Sequence, residues 1–287
     1  LVVQAVYPNG ITRDVTQEVS WQFANEAIAS RNNNQVLPKQ DGQTALKVTL
    51  GGLAIEVPVT VSEASLEPPI SFKNDVMPVF TKSGCNAGSC HGAARGKDGF
   101  RLSLYGFDPK GDYYRITREM LGRRIDLALP DDCLLMSKAT GQVAHTGGAL
   151  FQPDSQYYAT LKRWLTSGAP NDAGPVPTVT KVELYPKDGL LNGNGETQQM
   201  SVRALYSDGT DRDVTSLAYF STNNDNALSV DQSGKVTAKN RGEAFVMARF
   251  SSGRPRHTAR SGRCCECEVM RTMPRSTSSI VRSSMSR

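Results

Sequence analysis

The sequence predicts a multidomain chain in which two all-β sandwiches flank a small all-α domain. Three observations carry this. A stretch near the start recurs at a constant offset of 199 residues, both copies alternate apolar and polar residues, and the segment between them switches to helical spacing. With 287 residues the chain is long enough for several separate cores.

The repeat places the sandwiches. VQAVYPNGITRDVT (Val3–Thr16) and VRALYSDGTDRDVT (Val202–Thr215) share Val, Ala, Tyr, Gly, Arg, Asp, Val and Thr in register. Each turns at an Asn-Gly or Asp-Gly pair, Asn9-Gly10 and Asp208-Gly209, the residues a tight hairpin demands. TALKVTL (Thr44–Leu50) likewise matches EAFVMARF (Glu243–Phe250). Short alternating strands with regular turns are the pattern of an immunoglobulin-like sandwich. The second copy opens with a strand, VTKVELYP (Val179–Pro186), that the first lacks, so the chain is expected to begin inside a domain, as a fragment or processed product. The first copy closes with the well-patterned LAIEVPVTV (Leu53–Val61); at the matching place the second offers SGRPRHTAR (Ser252–Arg260), which cannot fill a core. The tail from Ser251 to Arg287 has no Leu, Phe, Tyr or Trp and nine serines. We expect it to be disordered or out of frame, with Cys264, Cys265 and Cys267 too tightly spaced for the usual zinc site.

Two segments resemble the group 2 bacterial immunoglobulin-like domain. The residues that carry the likeness are YSDGTDRDVT with SVDQSGKVTAKNRGEAFVMARF, well over 179–250 and partially over 1–62. The resemblance implies an extracytoplasmic spacer or adhesion module without catalysis, touching a surface protein or polysaccharide. Eight of the arginines lie in the tail with only two glutamates, so the formal charge of +5 leaves a neutral body. That removes the main argument for nucleic-acid binding. No apolar run is long enough to span a bilayer and no signal peptide is visible.

Between linkers at 63–69 and 171–178, residues 70–170 read as helices. SFKNDVMPVFTKSG offers a short helix ending at the glycine before Cys85. DPKGDYYRITREMLGRR offers another, with Tyr113, Ile116 and Met120 on one face. PDSQYYATLKRWLTSGAP is the clearest: Asp154 or Ser155 caps it, Tyr158, Leu161, Trp164 and Leu165 form a stripe, and Gly168 with Pro170 ends it.

This domain carries the candidate chemistry. In SGCNAGSCHG, Cys85 and Cys90 are followed at once by His91. Covalent haem needs two thiols for the porphyrin vinyl groups and a histidine immediately after to reach the iron, usually spaced C-x-x-C-H; here four residues separate the cysteines. Of the three histidines His257 lies in the tail, which leaves His145 as the candidate second ligand, with Met136 as its competitor. A Cys85–Cys90 disulfide, or zinc held by Cys85, Cys90, His91 and His145, stays open on the residues alone.

FKNDVMPVFTKSGCNAGSCHGAARGKDGFRLSLYGFDP, LLMSKATG and DSQYYATLKRWLTSGAP, in that order, resemble the planctomycete-type cytochrome c domain. The resemblance implies haem c bound through Cys85 and Cys90, with His91 as proximal ligand. Where relatives carry a Met-Pro-Pro distal loop, this chain has His145-Thr146-Gly147-Gly148, which points to two histidine ligands and a lowered potential. The expected activity is one-electron transfer with a redox partner, in an extracytoplasmic location. The rival is a structural or adhesive surface protein with a disulfide or zinc in the centre. Neither paired carboxylates nor a serine–histidine arrangement supports a hydrolase. Arg95, Lys97 and Arg101 are candidates for haem propionates or a partner, against a role as solvated surface.

Overall fold

The computed structural model describes residues 1–250 and 265–273. In the first sandwich β1 (Gln4–Val6) and β2 (Thr12–Asp14) form a hairpin, as Asn9-Gly10 requires; Gly10 sits at φ 81° and donates its N–H to the Tyr7 carbonyl at 2.9 Å. β3 (Ser20–Phe23), β6 (Gly42–Leu50) and β7 (Leu53–Val61) make an antiparallel sheet, and β4 (Ala29–Asn32) pairs with β5 (Gln35–Pro38). The core is small: Val15, Val19, Phe23, Ala29, Leu46, Val48 and Val61. Alternation puts Leu46 and Val48 of β6 inside, opposite Val57 and Ile55 of β7. Yet Leu53, Ile55 and Val57 are 37%, 38% and 41% exposed, because β7 is the last strand of its sheet and its inner face runs out beyond the core.

The second sandwich has a larger core, with Leu184, Val202, Phe220, Leu228, Val236 and Val246 all buried. One sheet runs β12 (Asp211–Asp213), β11 (Ser201–Tyr206), β8 (Val179–Tyr185). Another runs β10 (Thr197–Gln199), β15 (Lys235–Ala238), β14 (Leu228–Val230). The third runs β13 (Tyr219–Thr222), β16 (Gly242–Arg249), β17 (Cys265–Met273), β9 (Asp188–Asn192). β17 corrects the expectation that the tail supplies no strand. The closing strand that the repeat requires comes later than 252–260. It pairs antiparallel with β16 and parallel with β9, and Met270 is fully buried in the core. The expected disorder or frame loss at 251–264 and 274–287, and Cys264 of the cysteine cluster, lie outside the described residues.

Residues 70–170 contain helices and turns, with one isolated bridge between Lys97 and Phe100. Ser71 caps a π-helical turn (Phe72–Val76) that runs into α1 (Met77–Lys82). Asp108 caps α2 (Pro109–Thr117), which stops short of the expected face, so that Met120 lies on an exposed turn. α3 spans Leu134–Ala139, and α4 (Gln156–Thr166) starts where Ser155 Oγ accepts the Tyr158 N–H at 3.2 Å. Phe72, Phe80, Leu102, Ile116, Met136, Leu161, Trp164 and Leu165 form its core.

The helical domain is docked on the second sandwich. Arg212 pairs with Asp75 at 2.7 Å, Asn74 donates to the Pro177 carbonyl at 2.9 Å, and Tyr157 donates to the Ser216 carbonyl at 2.6 Å. Lys82 extends from the end of α1 to the carbonyls of Ala218 and Gln232. The first sandwich also touches the second: Leu190 N–H donates to Thr12 Oγ1 at 2.9 Å and Gln199 N–H to Asp14 Oδ2 at 2.7 Å.

Candidate functional site

The wide cysteine gap is built as a compact loop. Cys85 N–H donates back to the Phe80 carbonyl at 2.9 Å, and His91 N–H to the Cys85 carbonyl at 3.0 Å. Asn86, the first of the four intervening residues, is fully buried: its side-chain amide N–H donates to Thr81 Oγ1 at 3.1 Å and its backbone carbonyl accepts from Tyr105 N–H at 3.0 Å. One extra residue is thus a core anchor, while Gly88 and Ser89 bulge into solvent. Gly92 lies so close beneath the loop that a Cβ there would sit 2.0 Å from the Asn86 carbonyl oxygen. The chain after the loop is tied down by Leu102 N–H, which donates to the His91 carbonyl at 2.7 Å.

His91 faces a cavity of about 280 Å³ whose walls include Phe80, Cys85, Phe100, Leu135, Leu161 and His145. The two histidine rings are nearly parallel, 8° apart in plane, with centroids separated by 6.2 Å. Nδ1 of His91 lies 3.0 Å from the Phe100 carbonyl oxygen, and Nδ1 of His145 lies 3.1 Å from that of Gly148. Only an N–H can satisfy those oxygens, so the proton of each neutral ring is held at Nδ1 and Nε2 keeps its lone pair. This is how ligating imidazoles are oriented in metal sites. Burial pushes the His91 pKa down, against the raising effect of the Phe100 carbonyl, which favours the neutral form a ligand needs.

Cys85 lines the same cavity, and Cys90 sits half-buried off its lining. Burial, with Cys90 adding to it, pushes the Cys85 thiol up to about 12, so it is a protonated thiol at neutral pH rather than a thiolate ligand. Both sulfurs are free, so the disulfide alternative is not made. Among the described residues no three of His, Cys, Asp or Glu converge as a metal-holding set, and Cys90 is not part of the lining that carries the two histidines. Met136 is fully buried in the helical core and does not line the cavity. Of the basic candidates Lys97 reaches the cavity wall, whereas Arg95 and Arg101 do not.

Sequence reasoning missed Arg124, which is largely buried in the cavity wall. It pairs with Glu119 at 2.9 Å, donates to the Gly99 carbonyl at 3.1 Å, and lies 4.5 Å from the centre of the Phe100 ring. Phe100 in turn lies 4.7 Å from the His91 ring. No sequence signal marks this, since Arg124 reads as part of a basic run.

Among the described residues no helix is long and apolar enough to cross a membrane. Among curated proteins no sequence matches the chain. Solved structures of the surface layer protein SbsC overlap it loosely. Its domains 1–6 give a TM-score of 0.26 at 8% identity over 95% of this chain, which spans 26% of theirs. Domains 4 and 5 give 0.26 at 8% identity over 94% of this chain and 78% of theirs. Superpositions this loose carry no argument about arrangement or role. The sequence family match is confined to one segment: residues 178–254, within the second sandwich, match the bacterial Ig-like domain (group 2).

Proposed function

We propose that the chain is part of an extracytoplasmic, cell-surface protein with a structural or adhesive role, and that the helical domain between its sandwiches holds covalently attached haem for one-electron transfer. The Ig-like match over 178–254 supports the first statement and does not extend to the second. The haem reading rests on one observation, the pair His91 and His145 brought to one cavity with their rings parallel and centroids 6.2 Å apart. The two Nδ1–H groups are already engaged by carbonyls, and a thiol stands on the same wall.

The residues fit the group in this way. Cys85 and Cys90 would anchor it, and His91 and His145 would ligate its iron. The haem would supply the one-electron couple. The protein's own part is to orient both imidazoles through the carbonyls at Nδ1, to favour the neutral form of His91 by burial, and to keep one side apolar through Phe80, Leu135, Leu150, Phe151 and Leu161. A haem held by two histidines would suit electron transfer rather than substrate chemistry at iron.

A pyridine haemochrome spectrum of the chain made in a host with haem c maturation tests this. Covalent haem absorbance is expected, and its absence refutes the haem reading while leaving the Ig-like reading untouched. In loaded protein, His145→Ala should replace the low-spin spectrum with a high-spin one; an unchanged low-spin spectrum removes His145 from the site.

A further inference from the structure

The cavity beside His91 has an unbalanced rim. Lys97, Arg123, Arg124 and Lys138 line it against a single acid, Asp98. Arg124 is already engaged by Glu119 and by the carbonyls of Gly99 and Arg115. The other three meet no carboxylate. Among the described residues none of Lys97, Arg123 and Lys138 forms an ion pair. Lys138 donates to the Ala144 carbonyl at 3.1 Å, and Lys97 reaches the Ser89 carbonyl only at 3.5 Å. Elsewhere on this domain cations find carboxylates: Arg115 with Asp112, Lys162 with Asp131, Arg163 with Glu67.

The three cations come from separate places in the chain: the loop after His91, the turn after α2, and α3. The fold brings them to one cavity whose other walls are largely apolar. Such a surface complements a ligand with an apolar body and negatively charged groups presented singly at its edge. We propose that Lys97, Arg123 and Lys138 form a carboxylate-anchoring rim, so that the cavity is specific for an apolar ligand that carries carboxylates. This rests on the haem reading above, and the carboxylates are then the haem propionates. Lys97 thereby leaves the class of solvated surface, whereas Arg95 and Arg101 stay in it.

The test uses the full chain free of haem, titrated with haemin and with haemin dimethyl ester and followed by Soret absorbance. The two ligands differ only in the carboxylates. The wild-type chain should bind the free acid about tenfold or more tightly than the ester, as charge-assisted contacts at a partly apolar rim require. In the triple variant Lys97→Gln, Arg123→Gln, Lys138→Gln, with unchanged far-UV circular dichroism, that preference should fall to within about twofold. Equal binding of acid and ester by wild type overturns the rim while the haem reading stands. A preference undiminished in the triple variant overturns the assignment to these residues. If neither ligand binds and matured protein gives no haemochrome signal, the haem reading and the rim fail together.

Discussion

Asp112→Ala is the sharpest test of how the helical domain supports His91. Asp112 is fully buried, and its carboxylate accepts the Ser103 N–H at 2.7 Å, the Ser103 hydroxyl, and Arg115 Nη1 at 3.0 Å. Burial pushes its pKa up against these partners, so its charge is tolerated only because three donors meet it. Alanine leaves a buried N–H and a guanidinium without their acceptor. Breaking a buried pair this way costs about 3–5 kcal/mol. Arg115 can turn towards Asp108, 3.6 Å away, which places the expected loss at the lower end, about 3 kcal/mol. For a domain of this size that is a fall in Tm of roughly 12–24 °C. Trp164, buried in the helical core, reports unfolding by fluorescence, and Trp21 of the first sandwich gives an internal control. Ser103 follows Leu102, whose N–H holds the His91 carbonyl, so the loosening should also lower haem loading. A variant within about 1 kcal/mol of wild type would refute the idea that this carboxylate holds the strap beneath His91.

Gly92→Ala should abolish haem attachment while both sandwiches keep their circular dichroism, since its Cβ meets backbone that cannot retreat; attachment at wild-type level would show that the loop is not that tight. Burial lowers the Lys82 ammonium from 10.5 to about 8. The unfolded chain therefore binds more protons between those values, and stability should rise with pH across that window by about 1 kcal/mol after discounting for solvent. Denaturation on either side of the window should show the slope, and Lys82→Met should remove it. With its thiol near 12, Cys85 should react with iodoacetamide far more slowly at neutral pH than a free exposed thiol, as peptide mapping of haem-free chain would reveal. Met270→Ala should cost the second sandwich about 2–5 kcal/mol if β17 completes its core, read from thermal melts.

What the sequence made legible is local. The Asn9-Gly10 and Asp208-Gly209 turns, the Ser155 cap, and the buried stripe of Leu161, Trp164 and Leu165 follow from spacing and turn chemistry alone. His91 and His145 were identifiable because the folded body has so few histidines, though not their parallel placement, which depends on two backbone carbonyls. β17 was illegible because the positions that alternate with Met270 in its sequence, Glu266, Glu268 and Thr272, are polar rather than apolar. Asp112 and Arg124 were illegible too, since a buried ion looks like a surface one until its partners are known. The rim escaped because Arg123 and Lys138 join Lys97 only through tertiary packing.

The uncovered end of β7 also bears on how the protein meets its own kind. In the second sandwich β17 has β9 beside it; in the first, β7 ends its sheet with Leu53, Ile55 and Val57 in the open. Pro58 interrupts the ladder, having no N–H to give, so a newcomer strand would find its welcome confined to Leu53–Val57. Within that stretch it would gain backbone hydrogen bonds and cover three apolar side chains at once. Sedimentation should therefore depend on protein concentration, and Ile55→Lys should make it independent.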